Sequence, residues 1–416
     1  MTNHSHNSRT FMGTSAVRRG LAGAVALLLA GAAAAPAVAA RQGTGTATGA
    51  RGSLVSVTPV ASLDRAGVTR WLADHEMDTG TVRQGVRAYR LTYRTLDAYG
   101  RPTTATGLFT VPAGGAHRLG LVSDTHGTMV ARDYAPSVGD DFGRIPSYLY
   151  ASSTGKAVAA PDYLGLGQGP GTHPYMDTAS SVTAAVDMLR AAREAGRRLD
   201  RPLTGDVYAT GFSQGGQVAM ALGKELRRGP AHGFRLRALA PVSGPYDLSG
   251  QEIPALFDGR VNPASGVVYT SYFLVAQNRL RPLYRDPAEA FRAPYADRVE
   301  ALYDGRHTEE EIVTSLPGSV EELLTPGFAA RMKHPTGALK AAIDANDRSC
   351  AWKPDVPVRL YAGESDTDVP IGNAHSCAKR LGGAPVLDQG KADHFGSFQK
   401  AAPGIAEWFR AAARRS

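Results

Sequence analysis

The chain has 416 residues, of which 43% are hydrophobic and 20% charged, so it is long and apolar enough to bury a substantial core. Its formal net charge of +8 is modest for this length, and the basic residues are spread along the chain. They form no basic and aromatic stripe of the kind that nucleic-acid-binding proteins show. Composition therefore gives no reason to expect a nucleic-acid partner, and the excess of positive charge is expected to serve solubility.

Residues 1–40 are predicted to be a secretory signal peptide. Basic residues that include Arg18-Arg19 precede an Ala/Leu-rich run over 21–35, which Pro36 and small residues follow. We expect cleavage near Ala39-Ala40 and a secreted mature chain with three fewer positive charges. An N-terminal membrane anchor is the alternative, but Pro36 and the weak hydrophobicity of the run argue against it. The arginine pair suits both the twin-arginine and the Sec route, so the route stays open.

The mature chain begins with an N-terminal extension, residues 41–84. Its start is rich in Gly, Thr and Ala, and a short helix is predicted at 63–71. Alternating residues at 86–94 and a second run at 103–111, joined by turn residues, predict an antiparallel hairpin.

After the hairpin, strand and helix patterns alternate, which predicts a parallel sheet and an α/β fold. We assign a first part of the core to 85–244 and a second part to 349–416. The predicted strands cover 118–123, 156–160, 206–210, 236–242, 356–363 and 384–388, and the predicted helices cover 178–197, 217–228, 371–381 and 402–413.

Between the two parts, residues 245–348 contain helix and loop patterns and no convincing strand. Capping boxes at 308–311 and 319–322 begin short helices, and residues 266–274 form an apolar, aromatic-rich run. An insertion of this kind suits a helical cap over an active site. The alternative is an ordinary helical subdomain that packs on its own core.

The pentapeptide Gly211-Phe212-Ser213-Gln214-Gly215 stands between a predicted strand and a predicted helix. This is the context of a nucleophile elbow, in which the serine occupies a tight, strained turn. Side chains at the two glycine positions would collide with the neighbouring strand or helix. The N–H groups at the helix start favour negative charge on the serine oxygen, so Ser213 is the predicted nucleophile.

A serine nucleophile needs a base, and chain order selects the base. On this type of sheet the order is serine, acid, histidine. The acid is expected just past the strand at 356–363, within 364–370, so only His375 and His394 can follow it. His375 falls inside a predicted helix, whereas His394 is predicted to lie in a loop after the last strand. We therefore predict His394 as the base.

Three carboxylates compete to orient that base. Asp366 stands in the turn that leaves the strand, and it is the predicted acid. Asp368 is better placed to cap the helix that Val369-Pro370 introduces. Glu364 ranks behind both.

The substrate oxygen needs preorganised N–H donors as it becomes negative. The backbone N–H of Gln214, at the helix start, is one predicted donor. The second is expected in the loop after the first parallel strand, where we name Thr128, with Gly127 and Met129 as alternatives. His126 is excluded as the base by chain order.

Cys350 and Cys377 are the two cysteines of the chain. An even pair in an exported protein predicts one disulfide, which would brace the segment that carries the acid. Two free thiols are the alternative.

Several segments together resemble the α/β-hydrolase superfamily, and more narrowly the secreted lipases typified by fungal secretory lipases and their bacterial relatives. They span residues 85–415 in the family's order, and Asp162-Tyr163 with His173-Pro174-Tyr175 is the part that points to this narrower group. The matching segments are 123–128, 161–167, 173–175, 211–216, 363–366 and 393–394.

The resemblance implies an α/β-hydrolase fold with a helical cap and hydrolysis of carboxylic esters, often triacylglycerols, without a metal or cofactor. Ser213, Asp366 and His394 match the family's triad positions. Asp162 and Tyr163 match a motif near the pocket whose role stays open, and turn-stabilising polar residues are the alternative.

We therefore expect a secreted serine esterase or lipase that acts on small-molecule or lipid esters. A transient contact with a lipid interface, the acyl chain length and the oligomeric state stay open. A secreted peptidase of the same fold is the alternative, with acidic residues at 309–311 and 321–322 as binders of the substrate amine. A non-catalytic binding protein is a third alternative, which the intact Ser/Asp/His set disfavours.

Overall fold

The computed structural model describes residues 50–228 and 233–412. The predicted signal peptide and its cleavage site lie outside the described residues. Among the helices within those ranges, none combines the length and the apolar character that crossing a membrane requires.

A nine-stranded sheet forms the centre, in the order β1-β2-β3-β5-β4-β6-β7-β8-β9. The first three strands and β5 pair antiparallel, and every pair from β5 through β4 to β9 is parallel. The predicted α/β class with a mostly parallel sheet is confirmed. In chain order the strands are β1 (Leu54–Leu63), β2 (Val86–Leu96), β3 (Pro102–Pro112), β4 (Leu119–Thr125), β5 (Ala157–Pro161), β6 (Leu203–Phe212), β7 (Arg235–Val242), β8 (Leu360–Ala362) and β9 (Val386–Asp388).

Helices cover both faces of the sheet and fill the segment between β7 and β8. Short 3-10 turns lie at Arg132–Tyr134, Phe142–Arg144 and Arg348–Cys350, and a π-helical turn lies at Leu248–Glu252. In chain order the α-helices are α1 (Arg65–Asp74), α2 (Ile145–Thr154), α3 (Thr178–Arg198), α4 (Gln214–Arg227), α5 (Ile253–Asp258), α6 (Pro263–Leu280), α7 (Pro287–Ala290), α8 (Val299–Leu302), α9 (Glu309–Ser315), α10 (Val320–Leu323), α11 (Pro326–Lys333), α12 (Gly337–Asp347), α13 (Gly372–Arg380) and α14 (His394–Ala412).

The period-2 alternation of the strands separates two apolar cores. On β4, Leu121 belongs to a core that α3, α4 and α13 complete, whereas the next residue, Val122, belongs to a core that α1, α2 and α14 complete. Both faces of the parallel strands are therefore buried, as expected for a sheet covered by helices on either side.

The N-terminal region differs from the prediction. Residues 86–94 and 103–111 do form the predicted hairpin, with Val86 opposite Pro112 and Leu96 opposite Pro102. However, β1 adds an edge strand that the sequence analysis missed. Most of its residues are half-buried or exposed with little alternation, so an edge strand of this kind leaves a weak pattern.

The helical insertion predicted between the two parts of the core is present. Within residues 245–348, all of which the structure describes, the β-pairing is limited to an isolated bridge between Phe291 and Leu324. Its helices share an apolar core of their own, which includes Leu274 of α6 and Leu323 of α10. The predicted capping box at Thr308 is complete, with Glu311 bonded in return. The insertion thus packs on itself and, as described below, also lines the cavity beside Ser213.

The predicted disulfide joins Cys350 and Cys377, with the two Cα atoms 5.3 Å apart. Cys350 ends the helical insertion, and Cys377 lies on α13, just after the turn that carries Asp366. The bond therefore ties the insertion to the element next to the predicted acid.

Candidate active site

Ser213 occupies the single residue between β6 and α4. Its backbone has φ +57° and ψ −127°, a combination that a residue with a side chain adopts at a cost of about 1–3 kcal/mol. Its N–H donates to the carbonyl of Val242 at 3.0 Å, so the neighbouring strand β7 fixes the turn. Strain held in place by the sheet is typical of a functional position.

The two glycines of the pentapeptide have steric reasons to be there. A Cβ at Gly211 would lie 2.3 Å from the carbonyl oxygen of Gly215 and from Oγ1 of Thr125. A Cβ at Gly215 would lie 1.8 Å from the carbonyl oxygen of Thr125. The Thr125 hydroxyl donates to the carbonyl of Gly215 at 2.7 Å, which binds β4 to the start of α4. The turn therefore tolerates no side chain at either position.

His394 and Asp366 are in direct contact. Nδ1 of His394 lies 2.8 Å from Oδ2 of Asp366, and both side chains are buried. The other carboxylate oxygen accepts the backbone N–H groups of Asp368 at 3.0 Å and Val369 at 2.8 Å. Because a carboxylate only accepts, Nδ1 of His394 carries the proton and Nε2 is the basic nitrogen of the neutral ring.

The predicted environment of His394 is wrong, because the residue begins α14 and does not lie in a loop. Asp393 accounts for the early start, since its Oδ1 accepts the N–H of Gly396 at 2.7 Å, as an N-cap side chain does. The predicted helix from 402 was only the C-terminal half of α14. Pro403 lies inside this helix, a position at which local propensity disfavours proline.

The imidazole of His394 packs against the residue before the predicted nucleophile. Its ring centroid lies 4.6 Å from that of Phe212. Burial lowers the pKa of His394, but the charge of Asp366 and its hydrogen bond outweigh burial, so the net shift of the pKa is upward. The site therefore stabilises the imidazolium that forms when the ring accepts a proton.

The rival residues have other surroundings. Oδ2 of Asp368 accepts the hydroxyl of Tyr269 at 3.3 Å, and the cap position of α13 is Ile371, without a side-chain bond. The prediction that Asp368 caps this helix is therefore wrong. Glu364 is exposed, and His375 is exposed on α13.

Both predicted oxyanion donors lie beside Ser213. Gln214 is the first residue of α4, and a Cβ on Gly127 would lie only 3.2 Å from Cβ of Ser213. The loop after β4 is thus next to the nucleophile position. The hydroxyl of Thr128 is 2.8 Å from that of Tyr175, which holds the loop on the cavity wall.

Asp162 and Tyr163 support this loop from behind. The Asp162 carboxylate accepts the hydroxyls of Thr106 at 2.6 Å and Ser137 at 2.5 Å, and its backbone carbonyl lies 3.2 Å from Nε2 of His126. The Tyr163 hydroxyl donates to the carbonyl of His126 at 3.3 Å. The pair therefore packs behind the donor loop, a contact between distant segments that local sequence patterns do not predict.

A cavity adjoins Ser213, Gln214 and Thr128. Most of its wall is apolar and comes from the helical insertion, so it can accommodate a hydrophobic chain. The apolar wall includes Leu248, Ile253, Leu256, Phe273, Met332 and Ile343.

Glu252 is a wall residue that the sequence analysis missed. It is buried, and burial raises its pKa to about 8. Its Oε1 accepts a hydrogen bond from the side-chain amide of Asn373 on α13. Glu252 follows Gln251 in a polar stretch, so the sequence does not indicate that it is buried. Its burial comes from the packing of α13 on the π-helical turn.

Neither a protein-family model nor a curated protein sequence matches the chain. Solved structures match it over most of its length. A hydrolase from Legionella pneumophila has a TM-score of 0.81 at 25% identity, covering 87% of this chain and 99% of that one. The rice cell wall degrading esterase LipA from Xanthomonas oryzae has a TM-score of 0.74 at 28% identity, covering 88% and 98%. Candida antarctica lipase A in its closed state, at 16% identity and a TM-score of 0.60, covers 86% and 83% and shares the fold alone.

Proposed function

We propose that this chain, an α/β-hydrolase of the lipase and esterase group, hydrolyses carboxylic esters through an acyl-enzyme on Ser213. The predicted fold class, an α/β-hydrolase with a helical cap insertion, is thereby confirmed. In the proposal, His394 is the general base, Asp366 orients it, and the backbone N–H groups of Gln214 and Thr128 bind the oxyanion.

The first half of the reaction forms the acyl-enzyme. Nε2 of His394 takes the proton of the Ser213 hydroxyl as the oxygen attacks the ester carbonyl carbon. The carbonyl oxygen becomes negative and is stabilised by the N–H groups of Gln214 and Thr128. When the intermediate collapses, the ester C–O bond breaks, and the alcohol leaves with the proton held by His394.

The second half releases the acid. Water gives a proton to His394 and attacks the acyl carbon, and the new intermediate collapses to a carboxylic acid and a restored Ser213 hydroxyl. Each half needs His394 in one tautomer. The observation that carries the proposal is the 2.8 Å contact between Nδ1 of His394 and Oδ2 of Asp366, with the His394 ring packed on Phe212, the residue before a serine held at positive φ.

The cavity supports an ester with a hydrophobic acyl or alcohol part, either as a soluble small molecule or as a lipid at an interface. We also propose export, since the signal-like residues 1–40 precede a chain with a disulfide. Whether the protein is a lipase or an esterase depends on the acyl chain length that the cavity accepts. Graded substrates measure that length directly.

The acidic residues that could have favoured a peptidase lie at helix starts. Glu309, Glu310 and Glu311 lie in the first turn of α9, and Glu321 and Glu322 lie in the first turn of α10. Acidic side chains at these positions stabilise helix starts. None of the five borders the described cavity beside Ser213.

Initial rates on 4-nitrophenyl esters of two to sixteen carbons, with emulsified triacylglycerol as a further substrate, test the proposal. We expect hydrolysis of the esters and its loss in Ser213→Ala, while thermal unfolding shows a folded variant. Activity that is highest on short acyl chains and absent on emulsified triacylglycerol identifies an esterase. Activity on the emulsified triacylglycerol identifies a lipase. Undiminished hydrolysis by Ser213→Ala would refute the assignment of the nucleophile.

A further inference from the structure

The side chain of Gln214 borders the cavity next to Ser213, although only its backbone enters the proposed reaction. The residue is 1% exposed, so both ends of its amide need partners inside the protein or in a bound molecule. Its Nε2 lies 3.4 Å from Nε2 of His173. The protonation of His173 decides which end of the Gln214 amide, the oxygen or the nitrogen, lies against the histidine.

His173 can be assigned one tautomer. Its Nδ1 lies 2.9 Å from the carbonyl oxygen of Leu164, which only accepts, so Nδ1 carries a proton. Burial lowers the pKa of His173 to about 3, so the ring is neutral at working pH and its Nε2 is a bare acceptor. Only the NH2 end of the Gln214 amide can satisfy that acceptor, and the orientation of the amide is therefore fixed.

The carbonyl end of the amide is then directed away from His173. Oε1 of Gln214 is buried and has no hydrogen-bond partner among residues 50–228 and 233–412. Flipping the amide would place Oε1 against the bare Nε2 of His173, so two acceptors would face each other unless the ring proton moved from Nδ1 and the bond to Leu164 were lost. Gln214 lines the cavity beside Ser213, so the unpaired acceptor belongs to a residue of the cavity wall.

We propose that Oε1 of Gln214 accepts a hydrogen bond from a donor group of the substrate, a hydroxyl or a protonated amine close to the scissile ester. The inference rests on the proposed function and narrows its substrate class from apolar esters to esters with a nearby donor. An entirely apolar substrate would leave Oε1 of Gln214 buried without a hydrogen bond, which weakens binding. A substrate with a donor group forms that hydrogen bond and avoids the loss of binding free energy. Thr270, on α6 across the same cavity, has a second buried hydroxyl oxygen without a partner among the described residues.

The test compares substrates that differ by one donor. On the alcohol side these are 2-hydroxyethyl butanoate and propyl butanoate, and on the acyl side methyl 3-hydroxybutanoate and methyl 3-methylbutanoate. In each pair a hydroxyl replaces a methyl group of similar size. We expect the wild-type protein to prefer the hydroxyl ester by about tenfold in kcat/KM in at least one pair, and that pair shows which part of the ester Gln214 contacts.

Two further esters separate a hydroxyl from a protonated amine. The 2-(dimethylamino)ethyl ester of butanoic acid carries an N–H when protonated, whereas the choline ester has the same charge without a donor. Preference for the first over the second identifies an amine as an accepted donor. Equal rates for the two, together with a preference for the hydroxyl ester, identify a hydroxyl as the donor.

Gln214→Met keeps the length of the side chain and the backbone N–H but removes the acceptor. We expect the preference ratio to fall from about tenfold to about twofold or less. The matched control is Gln217→Met, which replaces a buried glutamine of the same helix that donates to Thr178 and Asn346 and does not border the cavity. This control should retain the wild-type ratio, and thermal unfolding shows whether each variant is folded.

The outcomes separate the two proposals. Ester hydrolysis without any donor preference, or a preference that Gln214→Met retains, would overturn the role of Oε1 and leave the acyl-enzyme proposal standing. Failure to hydrolyse any of these esters would count against the proposed function itself. If Gln214→Met does not fold, Gln214→Leu replaces it as the variant without the acceptor, and the absence of any donor preference in the wild-type protein overturns the inference by itself.

Discussion

Replacing Asp366 with asparagine is expected to remove the base without disturbing the fold. The carboxylate has two sets of partners, the two backbone N–H groups of Asp368 and Val369 on Oδ1 and the His394 ring on Oδ2. Asparagine has the same shape, and its carbonyl oxygen can keep both backbone bonds. Its NH2 group then faces Nδ1 of His394, which must become an acceptor. The ring proton moves to Nε2, where it blocks the removal of the serine proton.

A histidine in the wrong tautomer costs a serine hydrolase about 10⁴-fold in kcat, which corresponds to about 5 kcal/mol of transition-state stabilisation. We expect a loss of this size for Asp366→Asn with 4-nitrophenyl butanoate, together with a midpoint of urea unfolding close to that of the wild-type protein. The matched variant is Asp368→Asn, since Asp368 bonds Tyr269 and not the His394 ring. A folded Asp366→Asn protein with more than a tenth of the wild-type kcat, or equal losses in both variants, would refute this reasoning.

Three further predictions concern pH and packing. The pKa of His394 is raised above 6.5, and only the neutral ring accepts a proton, so kcat/KM should rise with pH through a midpoint above 6.5. Asp368→Asn should lower that midpoint, because the charge of Asp368 contributes to the raised pKa of His394. Gly215→Ala should cost about 3 kcal/mol of unfolding free energy, measured in urea, because its Cβ would overlap the carbonyl of Thr125; a variant of normal stability would contradict this. Burial raises the pKa of Asp124 from 3.8 to about 8, so the folded state holds a proton that the unfolded state has lost between these values. The titration of Asp124 should therefore lower the free energy of unfolding by about 1.4 kcal/mol for each unit of pH between 3.8 and about 8. Asp124→Asn should remove this pH dependence.

Local rules were enough for the elbow and for the order of the site residues. A tight turn between a strand and a helix requires glycine at 211 and 215 whatever the neighbouring strand is, and β6 and α4 on either side have strong periodicity. The succession of serine, acid and histidine is the chain order of hydrolases with a nucleophile elbow, so it could be taken over once the elbow was recognised. These features depend on the nearest residues or on topology alone.

Features that depend on packing between distant segments could not be predicted. The sequence does not show that Glu252 is buried against Asn373 on α13 or that His173 fixes the Gln214 amide, because each contact joins residues far apart in the chain. The start of α14 at His394 was missed for a different reason. Pro403 disfavours a helix interior, and the tertiary packing of α14 against α2 and β7 outweighs that local preference.

Covalent labelling with diethyl 4-nitrophenyl phosphate, followed by peptide mass spectrometry, tests the central claim most directly. This reagent transfers its phosphoryl group to a serine that an adjacent base activates. We expect one label per protein, on Ser213, with loss of esterase activity in proportion, and a labelling rate reduced by several orders of magnitude in Asp366→Asn. A label on another residue, or activity that survives complete labelling of Ser213, would contradict the account.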